Sequence, residues 1–530
     1  MGYGDLSSYG APTTHTPRLD RLASEGIRFT QWYAGAAVCT PSRGATLTGR
    51  LPLRSGLYSR FNYPFDYLFR VFYPSSLGSL PANETTIAGA LKEKGYYSAA
   101  VGKWHLGHHN ALPHERGFDY FYGTPYSHDE GYPGPFPMSL VWPPVPLYQN
   151  EKIIEQPLDL ETLTPRMTSE ALNVIETSHA AGQPFFLYLS YHEAHIPIFT
   201  SKEFEGVSRR GRYGDMMVQM DSSVGQVIDK LKELQIDNNT LVIFVSDNGA
   251  WVEAKEPFSP EGASEFGVGG SNGPFREGKG STWEGGIRVP AIAWWPGRIQ
   301  PALSFEMATH LDLLPTFLEL AGIQPPADRV LDGKSIAPLL LDTTQKSPHE
   351  FLFFWREQIL MAVRYGAYKL HYVTRSGFGF DRPVVHDPPL LFNIEVDPGE
   401  LFPLNSTHHQ DIVDAIHQAS EAHKATIELG SPQYDFKHEG PVPGQDWSVI
   451  PCCRRDFSEE TEEDGSRAAF PPDDWSLIIW KNCICRRFPK DIAAAEAEAV
   501  FRPADEIMRS SFMGFQLLDY YELLSSLPSN

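Results

Sequence analysis

A cysteine and an arginine, Cys39 and Arg43, lie one helical turn apart near the start of the chain. Pro41 suits the first position of a short helix, and Gly49 suits its end. The cap before that helix would be Thr40 or Cys39. A helix N-terminus presents unpaired N–H groups and partial positive charge, which favour a thiolate or a bound sulfate or phosphate. The segment therefore predicts a reactive cysteine or an anion site, and the simplest alternative is a small buried thiol.

Further polar side chains follow predicted strands. Lys103 and His105 come just after the strand 96–101, where α/β sheets place their functional sites. His192 and His195 follow a second apolar strand and are three residues apart, a spacing that by itself suggests a zinc site. Taken alone, such residues are often ordinary parts of a loop.

A third apolar strand, 240–246, is the clearest candidate for a buried strand, and Asp247 and Asn248 follow it directly. A carboxylate and an amide oxygen are hard ligands that suit Ca²⁺ or Mg²⁺, although Asp-Asn-Gly is also a common turn. Lys279 lies in a glycine-rich segment, 267–286, whose Gly-Lys-Gly-Ser sequence does not fit a phosphate-binding P-loop.

Composition limits the classes of partner. The chain has 530 residues and a net charge of −22, which argues against nucleic acid or an anionic membrane as a general partner. No apolar run approaches the roughly 20 residues of a transmembrane helix. Exported proteins carry disulfides and glycosylation sequons, and this chain has candidates for both. Two disulfides or, with less support, a metal clip could form from Cys452, Cys453, Cys483 and Cys485, and sequons begin at Asn83, Asn238 and Asn405.

Alternating strands and helices predict an α/β domain, with the amphipathic segment 214–235 as a core helix. From about residue 350 the pattern changes to short strands and hairpins, which predict a smaller antiparallel sheet covered by a helix near 411–428. We expect a catalytic domain over 1–345, a small sheet domain over 346–445 and a cysteine-containing tail over 446–530.

Several motifs together resemble the sulfatase family, in the family's order and over roughly residues 1–405. They are Cys-Thr-Pro-Ser-Arg with Leu-Thr-Gly-Arg at 39–50, Gly-Lys-Trp-His-Leu-Gly at 102–107, Asp-Asn at 247–248 and Gly-Lys-Gly-Ser-Thr-Trp-Glu-Gly-Gly at 278–286. The resemblance implies an alkaline-phosphatase-like α/β fold, a large mixed sheet flanked by helices, with a smaller C-terminal antiparallel sheet domain. Related phosphatases use Ser or Thr with two zinc ions, and Cys39 argues against that class.

The resemblance also implies a role for each matching residue. Cys39 would be oxidised by the formylglycine-generating enzyme to formylglycine, whose hydrated aldehyde is the nucleophile. Ca²⁺, with Mg²⁺ as the lesser candidate, would bind Asp247, Asn248 and the converted Cys39. The sulfate would be bound by Arg43, Lys103 and Lys279, with Ser127 nearby; His195 would protonate the leaving alcohol, and His105 would deprotonate the second hydroxyl of the aldehyde hydrate.

The start of the chain differs from the family pattern. Sulfatases place a buried strand that ends in two metal-binding aspartates immediately before the Gly-x-Gly-Asp motif, here 2–5. We therefore expect that the sequence is truncated, that a signal peptide and half of the metal site are missing, and that the chain as given has little activity. The alternative function is a catalytically silent homologue that binds sulfated glycans.

Local resemblances leave the substrate open between aryl sulfates and galactose or N-acetylgalactosamine 6-sulfates. Segments 211–215 and 269–275 look like N-acetylgalactosamine-6-sulfatases, whereas 126–129 looks like arylsulfatase A. The resemblance implies a sulfate ester substrate, on a glycosaminoglycan or glycolipid, and a lysosomal or secreted glycoprotein that could form a homodimer.

Overall fold

The computed structural model describes residues 1–60, 70–108, 110–130, 144–252, 269–377 and 381–434. The helices in these ranges are α1 (Pro17–Glu25), α2 (Cys39–Thr48), α3 (Pro52–Ser55), α4 (Ile87–Leu91), α5 (Leu163–Ala180), α6 (Gly211–Glu233), α7 (Glu284–Ile287), α8 (Leu313–Ala321), α9 (Ala337–Leu341) and α10 (Gln410–Ala425). The strands are β1 (Ile27–Tyr33), β2 (Tyr97–Lys103), β3 (Tyr120–Thr124), β4 (Leu147–Gln149), β5 (Lys152–Glu155), β6 (Phe185–Ser190), β7 (Val242–Val245), β8 (Arg288–Trp294), β9 (Ala302–Ser304), β10 (Ala308–Thr309), β11 (Phe351–Arg356), β12 (Ile359–Tyr365), β13 (Tyr368–Thr374) and β14 (Val384–Asn393).

The large α/β layer consists of two sheets. One has the order β10-β1-β8-β7, with β9 also paired to β1, and the other has the order β5-β4-β3-β2-β6. β2 runs parallel to both β3 and β6, whereas β8 runs antiparallel to β1 and β7. α5 packs on β2 and β6 and contacts α6, which also packs against α1. The carboxyl ends of β2, β6 and β7 point to one edge, where the predicted site residues lie.

A cavity of about 800 Å³ separates β6 from β7. Within the described ranges, β6 pairs only with β2 and β7 pairs only with β8. Both strands are half-buried along most of their length, so the expectation that 240–246 is a buried strand is wrong, whereas the apolar segment 184–190 does form a strand. The reason is that each strand presents one edge and part of its apolar surface to the cavity.

The predicted small antiparallel sheet is present, in the order β11-β12-β13-β14. α10 covers one face through the buried side chains of Val413 and Ile416, which pack on Val363 and Leu370. This sheet touches the large α/β layer directly, because Lys369 of β13 reaches Glu284 at the start of α7. The small sheet is therefore built into the large domain through a buried charge pair.

Several predictions lie outside the described residues. They are the four C-terminal cysteines and the tail 446–530. The sequon asparagines Asn83, Asn238 and Asn405 are described, and each is exposed. None of the helices in the described ranges has the length and apolar composition needed to cross a membrane.

Candidate active site

Cys39 is the first residue of α2, and Val38 in extended conformation is its cap. The prediction that Pro41 opens the helix with Thr40 or Cys39 as cap is therefore displaced by up to two residues, because the Ser42 N–H already donates to the Val38 carbonyl. The predicted C-terminal end is confirmed: the next residue, Gly49, has φ 66° and donates its N–H to the Ala45 carbonyl. The Cys39 thiol is buried and free.

Arg43 joins the ends of three strands. Its guanidinium lies 2.9 Å from the Asp247 carboxylate after β7 and donates to the Lys103 carbonyl on β2 at 2.9 Å. It also hydrogen-bonds Ser190 at the end of β6. Ser42 adds a hydrogen bond from its hydroxyl to the Asp247 carbonyl. The planar fork of arginine is what allows one side chain to serve these separate acceptors.

Lys103 places its ammonium beside the Cys39 thiol. Its Nζ lies 3.6 Å from the Cys39 Sγ and donates to the Ser127 hydroxyl at 2.9 Å. Lys103 is buried, so its charge acts with little screening by water. Ser127 therefore lies beside the Lys103 ammonium, and its role at the sulfate stays a prediction.

His105 lies behind Lys103, in the left-handed backbone region with φ 59°. Its Nε2 is 2.8 Å from the Phe72 carbonyl, and its Nδ1 is buried with no hydrogen-bond partner among the described residues. Burial, together with the nearby charge of Lys103, lowers the pKa of His105. The imidazole is therefore neutral at pH 7 and has one nitrogen free.

His195 and Lys279 form a direct pair. Lys279 Nζ lies 2.8 Å from His195 Nε2, and His195 Nδ1 lies 2.7 Å from the Ile196 carbonyl. Burial and the charge of Lys279 hold the pKa of His195 well below its usual value. Because a carbonyl only accepts hydrogen bonds, Nδ1 carries the imidazole proton. Nε2 is therefore unprotonated and accepts a hydrogen bond from the Lys279 ammonium.

Three residues with no predicted role, His128, Asp129 and Glu130, also lie close to the predicted site residues. His128 is buried, with its ring centre 5.4 Å from that of His192 and 5.7 Å from that of His195. Asp129 approaches His195 Nδ1 at 3.6 Å, and Glu130 approaches His105 Nε2 at 3.4 Å. The available signal was their position directly after Ser127. His192 hydrogen-bonds Thr124 at 2.7 Å.

Two oxygens in the site suit a metal ion. The Asn248 Oδ1 is buried and has no hydrogen-bond partner among the described residues, as expected of an unused ligand. Although burial favours its neutral form, the charges of Arg43 and Lys103 hold the pKa of Asp247 below its ordinary value. In the described part of the chain, no group of three or more His, Cys, Asp or Glu is arranged to hold a metal. The two residues therefore fit as part of a ligand set.

The structure brings most of the predicted site to one end of the cavity. That end is lined by Cys39, Arg43, Lys103, His195, Asp247, Asn248 and Lys279. His105 and Ser127 do not line the cavity. Ser127 accepts a hydrogen bond from Lys103, and the charge of Lys103 acts on the His105 imidazole. A buried thiol surrounded by cationic side chains suits the binding of an anionic ester.

Comparisons with known proteins agree with this arrangement. A family model described as "Sulfatase" matches residues 1–323, and one described as "C-terminal region of aryl-sulfatase" matches residues 347–461. The chain belongs to the sulfatase family and so to the sulfuric ester hydrolases.

Among its relatives, an arylsulfatase from Hemicentrotus pulcherrimus is 40% identical, with 86% of this chain and 83% of that protein covered. Arylsulfatase A from Bos taurus is 39% identical, with 86% and 91% covered, and N-acetylgalactosamine-6-sulfatase from Canis lupus familiaris is 39% identical, with 82% and 85% covered. The crystal structure of the PsFucS1 sulfatase from Pseudoalteromonas sp. has a TM-score of 0.68 at 26% identity and covers 81% of this chain and 90% of that one. The expected fold class is confirmed.

Proposed function

We propose that this protein hydrolyses aryl sulfates or galactose or N-acetylgalactosamine 6-sulfates through a formylglycine made from Cys39. The observation that supports this proposal is the convergence at one end of a cavity of the Cys39 thiol with Arg43, Lys103, His195 and Lys279. Relatives named arylsulfatase and N-acetylgalactosamine-6-sulfatase match most of the chain, which supports both substrate types.

The sulfate group would be bound by cations whose charges are incompletely compensated. Lys103 donates to a serine hydroxyl and Lys279 to a neutral imidazole, so neither of these contacts neutralises the ammonium. Arg43 shares its charge with Asp247. In a buried site such charges stabilise negative charge that develops on the sulfate oxygens.

Proton transfer to the leaving alcohol would pass through His195. Its Nε2 is unprotonated in this structure and accepts a hydrogen bond from Lys279, which makes the lysine ammonium the adjacent proton source. A general acid of this kind contributes about 10²–10⁴-fold to a rate. His105, neutral and with Nδ1 free, would accept a proton in the later step that releases sulfate.

Formylglycine, when formed at Cys39, supplies a hydrated aldehyde as the oxygen nucleophile. A divalent cation, Ca²⁺ in preference to Mg²⁺, would be held by Asp247 and Asn248 together with the converted Cys39 and would polarise sulfate oxygens. We further propose a secreted or lysosomal glycoprotein, because the three sequon asparagines are exposed. We propose a glycosaminoglycan or glycolipid as the carrier of the sulfate ester. A homodimer remains a proposal.

A second candidate is a catalytically silent protein that binds sulfated glycans. It is favoured by the small number of metal ligands, Asp247 and Asn248, in the described part of the chain. Both candidates use the same cations, so only turnover separates them.

The test is expression in secreting cells that contain the formylglycine-generating enzyme. Mass spectrometry of the peptide with Cys39 measures its conversion, and sulfate release is measured on aryl, galactose and N-acetylgalactosamine sulfates. We expect converted Cys39 and sulfate release that is lost in Cys39→Ala. An alkylatable thiol at Cys39 would contradict the proposal, and glycan retention without sulfate release would favour the binding protein.

A further inference from the structure

Glu130 is a buried carboxylate next to the proposed base. Its side chain is 7% exposed, and Oε1 lies 3.4 Å from His105 Nε2. Its Oε2 is buried without a hydrogen-bond partner among the described residues. The backbone N–H of Glu130 donates to the Ser127 carbonyl, so the carboxylate is carried by the same turn as the serine that contacts Lys103. A buried carboxylate with an unused oxygen is costly, which calls for a functional explanation.

The contact with the backbone determines which nitrogen of His105 is protonated. The Phe72 carbonyl can only accept, so the nitrogen 2.8 Å away, Nε2, carries the hydrogen. Glu130 Oε1 lies 3.4 Å from the same nitrogen. Both acceptors therefore favour the tautomer in which Nδ1 keeps its lone pair.

Most of the environment of His105 disfavours the positively charged imidazolium that forms when the ring accepts a proton. Burial and the cations Lys103 and Arg43 all disfavour an imidazolium there. Glu130 is the anion in contact with the ring, and it is itself faced by His105, Asp129 and Lys103. Burial raises the pKa of Glu130 to about 7, and the contact with His105 opposes this shift.

We propose that Glu130 is a positioning residue for His105: it holds the ring with Nδ1 free and compensates the positive charge when Nδ1 accepts a proton. This inference rests on the proposed function for its kinetic consequence only. In that reaction the proton leaves the second hydroxyl of the modified Cys39 and arrives at Nδ1 as sulfate departs. Glu130 takes no part in the attack on sulfur or in the protonation of the leaving alcohol.

The direct test measures His105 itself, in full-length protein labelled with ¹⁵N-histidine. The signal of His105 is assigned by its loss in His105→Gln. We expect the Nε2–H tautomer in the unsubstituted protein and, in Glu130→Gln, a pKa of His105 lower by about 1, because removal of an adjacent anion disfavours the charged ring. Asp129→Asn is the matched control, since it removes the neighbouring carboxylate, which faces His195.

The kinetic test separates the two steps on an aryl sulfate. In Glu130→Gln, kcat should fall at least about tenfold, with a burst of phenol equal to the enzyme concentration because sulfate release becomes slow. The acidic limb of the kcat profile should move to lower pH, and Glu130→Asp should restore part of the rate. An unchanged tautomer and pKa of His105 in Glu130→Gln, or an equal shift in Asp129→Asn, would overturn the inference. Absence of turnover in the unsubstituted protein would overturn the proposed function instead, and the NMR comparison would still decide the role of Glu130.

Discussion

The residue with the most varied contacts in the site is Arg43. It binds a carboxylate, a backbone carbonyl and a hydroxyl from three different strand ends, so it fixes their spacing before any substrate arrives. The hydrogen bond that Lys279 donates to His195 is likewise already formed without substrate. Preorganised charge of this kind stabilises a transition state without reorganisation during the reaction.

Substitution of His195 should reveal a proton donor by its dependence on the leaving group. In His195→Ala, we expect aryl sulfates with poor leaving groups to slow by about 10²–10⁴-fold, whereas those with good leaving groups slow much less because they depart without a proton. The measurement is kcat/KM across a series of substituted phenyl sulfates. His408→Ala, an exposed histidine outside the cavity lining, is the control. Equal losses across the series would remove His195 from this role.

The sequence motifs nominate individual site residues but do not report the contacts between them. Cys39 opens a helix and Asp247 follows a strand, but Lys279 lies in a glycine-rich segment and is selected only because its motif resembles that of sulfatases. Glu130 could not be selected in this way, because its partner His105 and the carbonyl of Phe72 come from separate segments. A contact between distant segments leaves no periodic signal.

At the scale of elements, the small C-terminal sheet supports the loop that carries Lys279. Lys369 of β13 lies 2.9 Å from Glu284 and 3.1 Å from Glu400, and all three side chains are fully buried. Glu400 also accepts from the backbone N–H of Glu284 at 2.7 Å. Lys369 further donates to the Thr282 carbonyl. The position of Lys279 thus depends on contacts made almost a hundred residues later.

Removal of this buried lysine should destabilise the protein strongly. In Lys369→Met, Glu284 and Glu400 each lose a buried cationic partner, although Arg288 still contacts Glu284, and we expect a loss of about 3–5 kcal/mol in the free energy of unfolding. Lys346→Met is the matched control, because Lys346 also lies 2.9 Å from a glutamate but is 85% exposed. The control should lose less than about 1 kcal/mol. Denaturant unfolding measures both, and equal losses would refute the buried network.

The same pair predicts how stability depends on pH. Although burial favours the neutral acid, Lys369 and Arg288 hold the pKa of Glu284 below its ordinary value. A carboxyl group with a lowered folded pKa contributes stability above its unfolded pKa, near 4.5, and this stability is lost as the pH falls through the folded pKa. The difference between the unsubstituted protein and Lys369→Met should therefore stay constant down to about pH 4.5 and shrink as the pH falls from there toward about 2. A difference that stays constant over that lower range would contradict the assignment.

At the scale of the whole molecule, the cavity between β6 and β7 is the main departure from the sequence analysis. Apolar runs correctly predicted both strands, but a run does not report whether both edges of a strand are paired. The small sheet and α10 were predicted because hairpins and amphipathic helices have local patterns. The division of the large layer into two sheets depends on pairing between distant segments and could not be predicted.

An engineered extension tests what the cavity can accept. We expect that an apolar strand of about six residues, ending in two aspartates and fused before Met1, would pair with both exposed edges and add carboxylates beside Asp247. Thermal stability, bound calcium and sulfate release should all rise. An extension ending in two asparagines should raise stability with less gain in calcium. If the original chain binds calcium and turns over as well as the extended one, this prediction is wrong.

The cationic side chains around Cys39 should bind the sulfate product as well as the sulfate ester. Arg43, Lys103 and Lys279 are held in place by groups of the protein itself, so they stay in position when the alcohol has left. Inorganic sulfate offers the same oxygens as the ester and carries more charge. The protein should therefore be subject to competitive product inhibition, and its net rate in a closed compartment would depend on how quickly free sulfate is exported.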